Sequence, residues 1–258
     1  MAKWKAFPHA DKAYAQTAAT LKKHWDRLHK GDREPLPKDD KVVEAWIAYH
    51  AGDFQKAFDL GMKAGDAGAN VANKAQAIYA NYLEKSEAQK LAMFQEVIAR
   101  AEALQKSLPK NANAWYLHAY ALGRYSQGIS IAKALAQGLG GKVKASLDHA
   151  LKLDPKHADA HIALGAYHAE IIGKVGAMIG GLTYGAKQDA GISHYEQAIK
   201  LNPDSAIARI EYANGLVTML GKAKLKDAER LYAEAAKCKP MDAMERLDVE
   251  MAKAEIDG

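Results

Sequence analysis

The chain has 258 residues, 49% of them apolar and 26% charged, with a formal net charge of +5, seven prolines and one cysteine. That balance excludes a disordered or fibrous chain, and a lone cysteine excludes an intrachain disulfide or a cysteine-built zinc site. Ala, Lys and Leu are the commonest residues; they lose little side-chain entropy in a helix, so the expected class is all-α.

In chain order, residues 1–40 read as a basic helical extension, since positions 1–41 hold ten Lys or Arg against six Asp or Glu. Such a run is ordinarily a solvated helix face, and no aromatic-interleaved basic stripe marks a nucleic-acid platform, so no nucleic-acid partner is expected. The first sixteen residues lack the uninterrupted apolar core of a secretory signal and no run of eighteen apolar residues occurs. A cytoplasmic protein without a membrane span is expected.

Residues 41–258 read as helical repeats. A first hairpin is expected around EAWIAYHAGDFQKAFDLGMKAG, turning at Gly52-Asp53-Phe54, and residues 70–108 read as two further helices. Four segments then end alike, AEALQKSLP at Pro109, LDHALKLDP at Pro155, YEQAIKLNP at Pro203 and YAEAAKCKP at Pro240. Each is a helix stopped by proline, which cannot continue it. After the first three prolines a new helix begins, with N-caps expected at Asn111, at Lys156 or His157, and at Asp204. The clear units are about 111–155, 157–203 and 204–240. The prolines lie 46, 48 and 37 residues apart, whereas a plain tetratricopeptide unit repeats every ~34 residues, so the connections carry insertions. These are residues 126–141 and 171–185, both rich in glycine and mostly apolar, and the second is expected to be covered as a kinked connector or a lid.

The pairs Ala150 and Leu153, Ala198 and Leu201, and Ala235 and Cys238 resemble the second-helix signature of tetratricopeptide repeats. Trp115, Leu164 with Gly165, and Tyr212 with Ala213 resemble that family's first-helix packing positions. The order of features from about 113 to 253 is similar to the regulator of microtubule dynamics family and, more loosely, to TRAP-transporter-associated repeat proteins. The resemblance implies a solenoid of helical hairpins in a right-handed superhelix and a scaffolding role with a protein partner.

Stacked hairpins leave one concave wall built by their first helices, and such a wall can hold a guest without a catalytic group. Helical spacing places Tyr116 and Tyr120, Ile162 and Ala166, and Ile210 and Asn214 on that wall. Only Asn214 fits a clamp for a peptide carboxylate, so the groove is expected to prefer an apolar or amphipathic guest. Two readings follow: a scaffold holding a peptide or partner helix, and a carrier of a small apolar molecule enclosed by the insertions 126–141 and 171–185.

No enzymatic site is expected. His157, His161 and His168 share roughly one helix face and are the sharpest metal candidates, yet no Glu follows the first His as in zinc proteases; neither a metal nor a cofactor is expected. Ser193 and His194 are helical neighbours that point apart. Cys238 stands where the repeat buries a leucine, which makes its thiol inert. No phosphate-binding glycine loop follows a strand.

Overall fold

A computed structural model describes residues 3–257, and those residues form helices without strands. After a 3-10 turn at Lys12–Tyr14 come α1 (Ala18–Leu28), α2 (Asp40–His50), α3 (Phe54–Lys63), α4 (Ala69–Tyr82) and α5 (Glu87–Ser107). The chain continues with α6 (Ala112–Gln127), α7 (Ile131–Ala136), α8 (Leu139–Leu153), α9 (Ala158–Val175) and α10 (Ala177–Tyr184). It closes with α11 (Gln188–Leu201), α12 (Ala206–Leu220), α13 (Leu225–Ala235) and α14 (Ala243–Asp257).

Five antiparallel hairpins stack in order: α2 with α3, α4 with α5, α6 with α8, α9 with α11, and α12 with α13. The first helices α2, α4, α6, α9 and α12 touch one another in sequence and make the inner row. Small residues set their spacing. The Tyr195 ring of α11 lies between Gly165 of α9 and Gly215 of α12, where a Cβ on either glycine would sit within 2.8 Å of the ring. Side chains at those two positions would push the hairpins apart.

The helix starts follow capping chemistry. Asn111 accepts from the Ala114 amide, and His157 caps α9 by accepting from the Ala160 amide through Nδ1. The cap of α12 is Ser205 and not Asp204: the Ser205 hydroxyl accepts from the Ala208 amide, while Asp204 turns to Arg27, 3.2 Å away. Both insertions fold as short helices, α7 and α10. Gly176 and Gly185 bracket α10 with φ of 81° and 65°, a backbone conformation that glycine adopts without steric cost.

Two segments outside the hairpins finish the molecule. At the start, Trp4 stacks on Tyr79 at 4.5 Å and Trp25 of α1 meets Trp46 edge-on at 5.9 Å, so the first residues cover the first two hairpins. At the end, α14 crosses the inner side. Its Ala243 and Leu247 join the core formed with α2 and α4, while Val249 and Ala252 join Ile210 and Ala235 of the last hairpin. The array is thereby bridged from its first unit to its last.

Candidate binding groove

The segment after α1 runs as a strap over the N-terminal ends of the inner helices. Asp32 accepts from His29 at 2.9 Å and from Lys74 of α4. The Glu34 carboxyl is held by the amides of Asn70, at 2.8 Å, and Asn113 of α6, at 2.6 Å. Gly31 accepts through its carbonyl from the Asp159 amide of α9, and Arg33 meets Asp154 at 3.1 Å. At the start of α14, Asp242, just before the helix, accepts from His50 at 2.7 Å and Glu245 pairs with Arg27 at 2.5 Å. The two imidazoles also touch each other, Nε2 to Nε2, at 3.2 Å.

Burial sets the electrostatics here. Burial alone would raise the Asp32 carboxyl, but Lys74 and then His29 hold it well below the usual carboxylate range. Glu34 has no cation in contact: burial and then Asp32 push it up to about 8. Burial raises Asp159 to about 6, and burial with Asp242 raises Glu245 to about 7. His29 and His157 are pushed down to about 4 by burial and stay neutral.

Beyond this network the concave wall turns mostly apolar and forms a partly open cavity of about 180 Å³. Tyr116, Tyr120, Ile162 and Ala166 line it, as does Ala119 between the tyrosines. α7 roofs one side with Ile131 and Leu135, and Ile171, Val175 and Tyr184 from the second insertion meet it from the other. The polar groups at its edge are engaged with one another. Arg124 lies 5.4 Å over the Tyr120 ring and 2.9 Å from Glu211, and Gln127 donates to Glu170 at 2.6 Å. Deeper in, the Tyr82 hydroxyl donates to Asp248, which burial holds well above the carboxylate range.

Ile210 and Asn214 are not on this wall. Ile210 is 2% exposed and packs against α13 and α14, while Asn214 accepts from the Tyr232 hydroxyl at 2.7 Å. For Ile210 the physical reason is α14, which packs over it, while Asn214 is exposed beside α13. The cavity meets α12 at Ile207 and Glu211 instead. Arg124, Glu211 and Asp248 were not singled out by periodicity. The signal available was the acidic triplet Asp242, Glu245 and Asp248 at three-residue spacing, at the start of a helix that follows the last proline.

The three histidines separate. His157 is fully buried and gives its Nε2 proton to Asn113 at 2.9 Å. His161 and His168 join His194: His161 donates through Nε2 to the Pro155 carbonyl at 3.1 Å and accepts through Nδ1 from His194 at 2.9 Å. His168 accepts from the Lys187 amide and stacks on His194. Burial, and then the two neighbouring imidazoles, push His194 down to about 4. Among the described residues no group of His, Cys, Asp or Glu has the arrangement to hold a metal ion. Cys238 is half-buried, with its thiol raised by burial.

A crystal structure of a thermophilic TPR protein from Thermus thermophilus is similar with a TM-score of 0.58 at 18% sequence identity, over 83% of this chain and 98% of that one. The fold is therefore a tetratricopeptide-like solenoid of helical hairpins. No family model matches the chain, and no curated protein matches it in sequence.

Proposed function

We propose that this chain is a cytoplasmic, non-catalytic binding module that encloses the apolar part of a small ligand in its groove. The carrying observation is that both insertions meet over one apolar cavity, with Ile131 and Leu135 on one side and Val175 and Tyr184 on the other. An apolar cavity of about 150 Å³ stays dry and admits a guest the size of benzene, so one of this volume suits a single apolar chain or ring. A whole partner helix is about 10 Å across, and α14 already occupies the helix-sized part of the concave side.

The test is native mass spectrometry of the purified protein for a retained small molecule, joined to calorimetric titration with dodecanol. Ala166→Trp fills the cavity from its wall. Binding that Ala166→Trp abolishes with the helical spectrum intact supports the reading. Absence of any retained molecule and of dodecanol binding, or binding that survives Ala166→Trp, overturns it. A second reading rests on the charged edge at Arg124 and Glu211: a peptide would seat one apolar side chain in the same cavity and its backbone along that edge. On that reading the resemblance to the regulator of microtubule dynamics family carries a scaffolding role. Capture of a defined protein that is lost in Tyr116→Ala/Tyr120→Ala, with no small molecule retained, would favour it.

A further inference from the structure

The inner-to-outer turns of the last three complete hairpins lie side by side on one edge of the solenoid. Gly140, at the start of α8, rests against Ile171 and Tyr184 of the second insertion. That insertion in turn reaches the end of α12, where Gln188 donates to the Met219 carbonyl at 2.8 Å and Gly173 abuts Thr218. The 3-10 turn Gly221–Lys224 follows immediately. The three turns therefore form one continuous strip.

Two properties coincide on the strip. Its first is exposed apolar surface: Met178 is 76% exposed and Leu182 85%, and they are joined by Ile131, Leu135, Ile179 and Leu225. These six are more than half of the eleven large apolar side chains exposed among the described residues, on segments that hold 44 of the chain's 258 residues. Its second property is charge of one sign. Residues 128–147 contain three lysines, 171–188 two and 221–226 three, and none of these stretches contains an Asp or Glu. Lys144, Lys174 and Lys224 pair with acids just outside the strip. Lys133, Lys142, Lys187, Lys222 and Lys226 are exposed and have no carboxylate within ion-pair distance among the described residues. The opposite edge, where one unit passes to the next, mixes signs, as in Asp154 with Lys156 and Asp204 with Lys237.

We propose that this strip docks the protein on the surface of an anionic lipid bilayer. Apolar side chains on short helices enter the headgroup boundary while flanking lysines meet anionic headgroups, a combination that neither a neutral nor a like-charged partner would reward. Among the described residues no helix is long and apolar enough to cross a membrane, so the contact is superficial. Ile131 and Leu135 belong to both the strip and the cavity wall, and docking sets the cavity's roof against the lipid. The proposal does not rest on any guest being bound.

Flotation with phosphatidylcholine vesicles, with and without about 30% phosphatidylglycerol, tests it. The wild-type protein is expected to float with the anionic vesicles at least about tenfold better than with neutral ones, and less at high salt. Met178→Glu/Leu182→Glu, at exposed positions that leave the fold intact, is expected to lose that binding by at least about tenfold. Met62→Glu/Met251→Glu, exposed apolar positions on other faces, is expected to float like the wild type. Failure of the wild type to float, equal flotation on neutral vesicles, or undiminished binding by Met178→Glu/Leu182→Glu would each overturn it.

Discussion

The two ends of the concave wall satisfy opposite physical demands. At the N-terminal ends of the inner helices the strap and the start of α14 bury His29, Asp32, His50, Lys74 and Asp242 and give each a partner, so that end is sealed by its own side chains. At the other end the wall is apolar, and the insertions that roof it leave Met178 and Leu182 in solvent. A self-satisfied polar network offers little to a guest, because entry would break bonds already made. The apolar end has no such bonds to break, and it is where binding belongs.

If the contrast is right, substitutions at buried polar pairs change stability most, and those at the solvent-exposed insertions change it least. The largest effect is expected at Lys74→Met, which strands Asp32 as a buried charge; chemical unfolding should show a loss of about 3–5 kcal/mol, partly recovered by adding Asp32→Asn. Next comes Glu34→Gln, whose effect depends on pH. Glu34 titrates near 4.5 when unfolded and at about 8 in the fold, so the stability its protonated form supplies is complete below pH 4.5 and is lost as pH rises through 8. The amide variant keeps the neutral form at every pH. It should match the wild type near pH 4 and exceed it by on the order of 3 kcal/mol at pH 8, read from melting curves across that range.

Tyr82→Phe removes the hydroxyl that serves Asp248 and is expected to cost about 1–3 kcal/mol by the same unfolding measurement. Glu211→Gln, at the edge of the cavity, weakens a partly solvated pair with Arg124 and should cost no more than about 1 kcal/mol. The smallest effect is expected at Leu182→Ser, within about 0.5 kcal/mol, since that side chain touches mostly water. A Leu182→Ser loss comparable to that of Lys74→Met would erase the distinction between the two ends.

Much of the architecture was legible because it is local. Proline after four of the five second helices, the caps at Asn111 and His157, and the apolar stripes between them define hairpins from neighbouring residues alone. Tyr116, Tyr120, Ile162 and Ala166 line the cavity because helical spacing puts each pair on the inner face of α6 or α9. Ile210 and Asn214 obey the same spacing and yet face α13 and α14. Periodicity names a face and not its occupant, and α14 arrives from a segment with no repeat signature. The histidines teach the same lesson: helical spacing groups His157 with His161 and His168, while packing exchanges His157 for His194 from a different helix.

The sequence by itself determined a helical class, the order of the hairpins and the places where insertions interrupt them, since backbone hydrogen bonding, capping and proline act within a few residues. Only the tertiary structure decided which part of the concave wall stays open. That choice depends on ion pairs and burial between residues as far apart as Arg27 and Glu245, whose meeting no local pattern encodes.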